Sequence, residues 1–266
     1  YKPYDCLSLS VVLKANGTIE KKIVGSVVEA LVADQAAPED FARLFEIFEN
    51  PSLQMASFTI TEKGYSIYDG KGELLSVVES GFNDKPENQQ HLMGRVAALC
   101  YRRFKTCKAP IALSSMDNCS HNGDKLKAGV MAFVNAWVKN GIVEKEFADY
   151  MNDENQVSFP WSMIDKITPR PDENVKKMLE KDGFEDTDLI ITNRNTYTSP
   201  FVNSEETGYL VIEDKFPNGR PPIDKAGILF TDRETVDKVE KMKVCTCLNP
   251  LHTALAVFGC LIGYTL

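Results

Sequence analysis

The sequence predicts an α/β fold built around a sheet of parallel strands. Short apolar strands alternate with amphipathic helices along most of the 266 residues, a succession typical of parallel strands joined by helices. Polar loops rich in Asn, Asp and Thr occupy 59–65 and 114–124, where two of these strands end. Ligands bind such sheets beyond the carboxyl ends of the strands. Turn formation alone would explain either loop taken singly, so the pair of loops is what suggests a site.

The first half of the chain predicts a hairpin followed by alternating helices and strands. Alternation on both sides of the Asn16-Gly17 turn predicts the hairpin, and Pro38 begins a helix with one apolar stripe. The elements that follow are a strand at 56–61, a loop at 61–65, a helix at 91–104, a buried strand at 111–114, a helix at 125–140 and a short helix at 144–152.

The second half predicts further strands and a C-terminal helix. The strands are at 189–192, 209–212 and 228–230. Thr231 and Glu234 form a capping-box signature for the helix that leads to Lys243. The apolar run 251–266 is shorter than the roughly 20 residues that a membrane span needs. We therefore expect it to be a buried core helix and expect no membrane association.

Composition and charge exclude several classes of protein. A content of 43% hydrophobic and 26% charged residues is ordinary for a globular protein. The net charge of −8 argues against a nucleic-acid partner, because phosphate binding needs a basic surface. Seven cysteines without a C-x-x-C pair fit neither a disulfide framework nor a zinc site. They indicate reduced thiols in the cytoplasm and no bound metal.

The residues able to do chemistry are concentrated near the C-terminus. Glu240, Lys243, Asn249 and His252 lie within thirteen positions. A lysine as proton acceptor, an asparagine as oxyanion donor and a histidine as substrate ligand suit the metal-free oxidation of a carbinol. The more usual explanation of such residues is a solvated helix face.

Four motifs follow one another along the chain: SSMDNCSHNG, FPWSMIDKITP, YLVIEDKFPNGRPP and EKMK…LNPLHTALA. In this order they resemble the polyol-specific long-chain dehydrogenases, a family that includes mannitol 2-dehydrogenase and the fructuronate and tagaturonate reductases. TITEKGY at 59–65 is similar to a further family segment. The resemblance spans almost the whole chain. It implies a Rossmann-type NAD-binding domain at 1–230 and, at 231–266, the beginning of a mainly helical substrate domain.

The two ends of the chain suggest truncation. It opens on Tyr1 rather than Met, and it stops within an apolar helical pattern. The resemblance implies that the first βαβ unit and its glycine-rich phosphate loop are missing, and the chain contains no G-x-G-x-x-G. We therefore expect a fragment cut at both ends and inactive by itself.

The resemblance also implies a role for individual residues. Lys243 would be the general base, Asn118 and Asn249 would donate hydrogen bonds to the oxyanion, and Glu240 would pass the proton to solvent. His252 and Asp165 would bind substrate hydroxyls. The residues near the NAD cofactor would be Thr61, Glu62, Ser115, Asp117 and Asn122.

This sequence departs from the family pattern at two positions. Met116 stands where the family usually has Cys. The family spaces its lysine and asparagine as K-x4-N, whereas Lys243 and Asn249 are separated by five residues. One extra residue turns an α-helix by about 100°, so we expect a kink at Pro250 to absorb it. Lys241 is a weaker candidate for the base.

The expected function is zinc-independent, NAD-dependent interconversion of a sugar alcohol and a ketose, with mannitol and fructose as first choice. The alternative is a fructuronate or tagaturonate reductase that makes a hexonate. A different class is also open, a non-catalytic binding homologue that keeps the fold. The expected partner is a small polyol or keto-sugar. The choice between NAD and NADP, and the oligomeric state, are not fixed by the sequence.

Overall fold

The structure is a computed structural model that describes residues 4–166, 168–191, 197–206 and 208–264. The strands in this part of the chain are β1 (Ser8–Leu13), β2 (Ile19–Val24), β3 (Met55–Phe58), β4 (Ile111–Ser115), β5 (Val157–Ser158), β6 (Ser162–Asp165), β7 (Ile190–Ile191), β8 (Tyr197–Thr198), β9 (Phe201–Glu205), β10 (Tyr209–Glu213) and β11 (Leu229–Thr231).

The α-helices are α1 (Pro38–Glu49), α2 (Thr61–Tyr65), α3 (Ser76–Phe82), α4 (Leu92–Thr106), α5 (Asn122–Lys139), α6 (Lys145–Asn152), α7 (Glu173–Lys181), α8 (Arg233–Val239) and α9 (Asn249–Leu261). A π-helical segment, Glu240–Leu248, joins α8 to α9.

The chain divides into two compact units, which are described separately. The smaller unit comprises the described parts of 1–32 and 165–209, and the larger unit those of 33–164 and 210–266. The predicted domain boundary at residue 230 does not coincide with this division and stays a prediction.

The smaller unit contains the predicted hairpin. β1 pairs antiparallel with β2 and parallel with β9, in the order β2-β1-β9. Its small core consists of Leu9, Val11, Val175, Leu179 and Phe201. Part of the predicted strand at 189–192 forms β7, which pairs antiparallel with β8; position 192 lies outside the described residues.

The larger unit contains the predicted parallel sheet. Strands β3, β4 and β5 are parallel, in the order β3-β4-β5. All five residues of β4 are buried, and α4 and α5 pack around them through fully buried side chains such as Phe133 and Trp137. A second sheet has the order β11-β10-β6, with β10 and β11 parallel. The parallel arrangement expected from the sequence is confirmed.

Two local predictions are wrong, and side-chain contacts explain both. The segment 61–65, predicted as a loop, is the short helix α2, because the carboxylate of Asp117 accepts the N–H groups of Ile60 and Thr61 where the helix begins. The N-cap of α8 is Asp232 rather than Thr231: its carboxylate accepts the N–H of Thr235 at 2.8 Å.

The C-terminal apolar helix is exposed, so the prediction of a buried core helix is wrong. Leu255 is 73% and Leu261 75% exposed, and none of the described residues of α9 is buried. Together with α8 and the π-helical segment it forms one helical run, Arg233–Leu261, that is long and apolar enough to cross a membrane by length and composition alone. Core helices of soluble proteins satisfy the same two criteria.

A buried arginine fixes the amino ends of β3 and β4. Arg103, at the end of α4, is fully buried. Its guanidinium donates five hydrogen bonds of 2.7–3.0 Å to the carbonyl oxygens of Phe48, Asn50, Leu53, Ala109 and Pro110. These carbonyls belong to the segments that lead into β3 and β4. One guanidinium therefore gives the backbone of both segments hydrogen bonds that water would otherwise supply.

Replacing this arginine should destabilise the larger unit strongly. Arg103→Met removes five buried hydrogen bonds to carbonyl groups, and we expect a loss of about 3–5 kcal/mol in the free energy of unfolding. That loss would lower the melting temperature by roughly 10 °C. The matched control is Arg102→Met, because the Arg102 side chain is 55% exposed and pairs with Glu49. Equal melting temperatures for the two variants in circular dichroism would contradict the assignment.

Candidate active site at the carboxyl ends of the parallel strands

The loops that follow β3 and β4 are joined by the carboxylate of Asp117. Its two oxygens accept the backbone N–H groups of Ile60 at 2.9 Å and Thr61 at 3.0 Å. Thr61 has φ 62°, in the left-handed region that side chains other than glycine seldom adopt. The carboxylate therefore holds a strained turn in place and brings the two polar loops predicted from the sequence side by side.

Tyr65 forms the second connection between these loops, and the sequence analysis did not single it out. Its hydroxyl lies 2.6 Å from Ser115 Oγ and also donates to Asp117. Burial is the main cause that raises the pKa of Tyr65, and the hydrogen bond to Asp117 adds to it. The buried ring on α2 thus reaches back to the end of β4. An aromatic residue four positions after Thr61, one helical turn away, was the only signal for it in the sequence.

Asn122 connects the same loop to β6. Its amide nitrogen donates to Asp117 O at 2.9 Å, to Ser115 O at 3.4 Å and to Ser162 Oγ at 3.0 Å. Its amide oxygen accepts the N–H of Ser162 at 3.0 Å. The side chain is fully buried, and both its amide nitrogen and its amide oxygen form hydrogen bonds inside the protein.

The loop after β4 also contacts the helical run that carries Lys243. The backbone N–H of His121 donates to Glu240 Oε2 at 3.3 Å, and its ring nitrogen Nε2 lies 3.3 Å from Asp237 Oδ1. The His121 ring stacks on Trp161 with centroids 4.2 Å apart. Residues over one hundred positions apart along the chain are thereby adjacent.

The five predicted cofactor residues fall into two groups. Thr61 and Glu62 are exposed, and Glu62 forms an ion pair with Lys125. The other three, Ser115, Asp117 and Asn122, are engaged in the internal hydrogen bonds described above. An open pocket of ≈ 530 Å³ adjoins this region, lined by both Glu62 and Lys125 and by the small residues Ala128, Gly129 and Ala132 of α5.

The predicted catalytic residues lie partly in contact with this edge. Glu240 is buried, 6% exposed, against the loop of His121. Asn118 is exposed on that loop, and Lys243 is exposed three residues beyond Glu240. The remaining predicted residues, Asn249 and His252, are exposed further along the same helical run.

Asp165, predicted to bind substrate, is the last residue of β6 and is half-buried. Asp165 belongs to the smaller compact unit, as does Tyr209. Partial burial is the main cause that raises the pKa of Tyr209, and the charge of Asp165 contributes.

The extra residue between Lys243 and Asn249 lies within the π-helical segment. The N–H of Asn249 bonds to the carbonyl of Val244, five residues earlier, whereas an α-helix bonds four residues back. This wider turn takes up one residue without a break, and Pro250 stands in the first turn of α9, where its missing N–H does no harm. The expected kink at Pro250 is therefore replaced by a π-helix, a feature that is frequent at functional sites.

Known proteins share this fold and are similar in sequence. Residues 2–225 match the model of the mannitol dehydrogenase Rossmann domain. The chain belongs to this family. The match confirms the resemblance to the polyol dehydrogenases and the Rossmann-type fold.

Individual relatives match the chain over nearly its full length. It is 55% identical over 266 residues to the D-mannonate oxidoreductase of Thermotoga maritima, covering 99% of this chain and 49% of the relative. Among solved structures, a substrate-free D-sorbitol dehydrogenase matches with a TM-score of 0.80 and 26% identity. The Pseudomonas fluorescens mannitol 2-dehydrogenase in a ternary complex with NAD and D-mannitol matches with 0.74 and 29%. Both alignments cover 99% of this chain and 49% of the solved chain. The chain thus spans about half the length of these family members.

Removing the Tyr65 hydroxyl should loosen the two loops. We expect Tyr65→Phe to lose about 1–3 kcal/mol of stability, because Ser115 and Asp117 lose a buried partner. The neutral hydroxyl is the stabilised form, so its contribution is present below the unfolded-state pKa of about 10 and is lost as the pH rises through the higher folded-state pKa. The stability gap between parent and variant should therefore be constant from pH 7 to 9 and shrink at higher pH.

Denaturant unfolding at a series of pH values measures this gap. Tyr68→Phe is the control, since Tyr68 is 53% exposed. A gap as small as that of the control, or one that widens at high pH, would refute the proposed connection.

Proposed function

We propose that the chain is part of an NAD-dependent dehydrogenase that interconverts a secondary alcohol of a hexonate or sugar alcohol and the corresponding ketone. The supporting observation is the docking of the Asn118 loop on the helical run of Lys243, through His121 and Glu240. A carboxamide and an amine are thereby carried by two touching segments at the carboxyl edge of a parallel sheet. This is where the family fold leads us to expect a ligand.

The carboxyl edge offers suitable groups for the cofactor. Thr61, Glu62 and Asn118 are exposed there. Glu62 also lines the ≈ 530 Å³ pocket, a volume within the range usual for small-molecule sites. We assign Thr61 and Glu62 to NAD contact, and Ser115, Asp117 and Asn122 to holding the edge in shape. Bound NAD would accept the hydride that leaves the carbinol carbon.

Lys243 is the proposed general base. Its Nζ would take the hydroxyl proton as the carbon–oxygen double bond forms, while Asn118 and Asn249 would donate hydrogen bonds to the oxygen. Lys241 is less suitable, since a hydrogen bond and the charge of Asp237 raise the pKa of Lys241 and keep it protonated. Glu240, buried one turn before the base, is the proposed next proton acceptor.

The proposed substrate is D-mannonate and its keto acid, with mannitol and fructose as the second candidate. The 55% identity to a D-mannonate oxidoreductase favours the hexonate, the alternative in the sequence analysis, over mannitol. The structural similarity to a mannitol 2-dehydrogenase bound to D-mannitol keeps the polyol as a candidate. His252 and Asp165 are the proposed ligands of substrate hydroxyls in either case.

The two substrates can be compared directly on the full-length protein. With NADH and purified enzyme, we expect a higher kcat/KM for fructuronate than for fructose, and in the reverse direction a higher value for D-mannonate than for mannitol. The opposite ranking would select the polyol. Binding of NADH without turnover of either substrate pair would instead support a non-catalytic homologue.

The base assignment is tested by substitution of Lys243. We expect Lys243→Ala to lower kcat by about three orders of magnitude, as is usual for loss of a general base, with NADH affinity little changed. Lys238→Ala is the matched control, because Lys238 is on the same helical run, 62% exposed, and pairs with Glu234. Near-parental kcat for Lys243→Ala, measured by NADH absorbance, would remove this lysine from the mechanism.

Residues 231–266 are proposed to begin the helical substrate domain. The exposed apolar face of α9 supports this, since an amphipathic or apolar helix is stable in water only when its apolar side chains are covered. On this proposal residues 1–266 alone should show no turnover. Measurable NADH oxidation by that chain would contradict the proposed role of further substrate-domain residues.

A further inference from the structure

We propose that His121 is a positioning residue that fixes the helical run of Lys243 against the loop of Asn118. This inference rests on the proposed function, because it concerns the relative placement of the proposed base and oxyanion donor. None of the sequence motifs assigned a role to His121.

The backbone of His121 forms the first contact. His121 has φ 49° and ψ 46°, a left-handed conformation at the start of α5. In this conformation its N–H points out of the loop to Glu240 Oε2, at 3.3 Å. Glu240 is 6% exposed and lies three residues before Lys243. A hydrogen bond to a buried carboxylate contributes more than a neutral one, so the N–H fixes the helical run near its base residue.

The imidazole forms the second contact, one turn earlier on the helical run. Nε2, at the edge of the ring, lies 3.3 Å from Asp237 Oδ1. The ring itself stacks on Trp161, with centroids 4.2 Å and planes 22° apart. Asp237 and Glu240 are three residues apart, so they share one helix face. The single residue His121 therefore contacts two successive turns of the helical run.

Trp161 gives the imidazole a rigid support. Its indole N–H donates to Asp124 Oδ1 at 2.9 Å, and its backbone N–H donates to Glu213 Oε2 at 3.1 Å. The guanidinium of Arg233, from the first turn of α8, lies 5.0 Å from the indole centroid and bonds to Glu213 at 3.0 Å. Trp161, on which the histidine ring stacks, is therefore held by hydrogen bonds at its backbone and at its indole nitrogen. Arg233 adds a contact between Trp161 and α8.

The contacts of His121 to Asp237 and Glu240 lie where α8 passes into the π-helical segment. Glu240–Leu248 has wider turns than an α-helix. The direction in which the Lys243 side chain leaves the helical run therefore depends on the residue at which the π-helix begins. A shift of about 1 Å in a reacting group can cost about a hundredfold in rate. Holding Asp237 and Glu240 on the loop of Asn118 therefore sets the distance between the amine and the carboxamide.

The test replaces His121 by asparagine in the full-length protein. Asparagine tolerates the left-handed backbone and keeps the N–H, but it removes the stacking on Trp161 and shortens the reach to Asp237. We expect kcat to fall by about tenfold or more while KM for NAD changes by less than about twofold, because proximity and not cofactor contact is lost. Asp237→Asn, which keeps a hydrogen-bond acceptor, should retain most of the activity.

His91→Asn is the matched control. His91 also caps a helix, accepting the N–H of Met93 at 3.3 Å, and also stacks on an aromatic ring, that of Phe133 at 5.7 Å. Asparagine is a good N-cap residue, so this variant should keep kcat. If His121 had only a structural role, His121→Asn and His91→Asn would lower the melting temperature by similar amounts and would have similar kcat values.

Amide hydrogen exchange separates this inference from the proposed function. Exchange in 233–248, measured without substrate, should be about threefold or more faster in His121→Asn than in the parent and unchanged in His91→Asn, because only the first loses the side-chain contact to Asp237 on the helical run. Unchanged exchange, or a kcat within about twofold of the parent in a folded variant, overturns the positioning role. Lack of any turnover by the parent would overturn the proposed function. The exchange result would then still show whether His121 holds the helical run against the loop of Asn118.

Discussion

The arrangement of this edge of the sheet depends on one carboxylate. Asp117 accepts hydrogen bonds from two N–H groups at the end of β3 and from the hydroxyl of Tyr65, and the strained turn at Thr61 exists because those bonds hold it. Without the carboxylate the loops after β3 and β4 would each be free to solvate separately. The buried Asn122 carries the same restraint across to β6. Three polar side chains thus fix the geometry beside which the exposed Thr61, Glu62 and Asn118 lie.

Groups from distant parts of the chain meet at this edge, where the helical run contacts the loop of His121. His121, Trp161 and Arg233 form a stacked set of side chains that places α8 beside the loop of Asn118. The π-helical segment then accommodates the extra residue between Lys243 and Asn249. Each turn of this segment is wider than an α-helical turn, so the extra residue fits without a break in the helical run.

The sequence predicted the strands and helices well where apolar periodicity was strong. The hairpin of β1 and β2, the buried strand β4 and the helix at Asn122–Lys139 follow their patterns closely. Predictions were wrong where a distant side chain decided the outcome. Helix α2 begins because Asp117, more than fifty positions away, accepts its first N–H groups. The N-cap of α8 is Asp232 and not Thr231. Both side chains can cap a helix, and the residue at which the backbone turns into the helix decides which of them does.

Taken by itself, the sequence determined the fold class, the family and the candidate residues, because ordered motifs and hydrophobic spacing are local properties of the chain. The tertiary structure alone decided which of those residues are exposed and which are used internally. In the structure Ser115, Asp117 and Asn122 form hydrogen bonds inside the protein. Glu240 is buried and α9 is exposed. Tyr65 and His121, which the sequence did not single out, make contacts that connect the loops. The physical reason is that a polar side chain acts on a ligand only with the hydrogen-bonding capacity that its neighbours have left unused, and those neighbours come from other parts of the sequence.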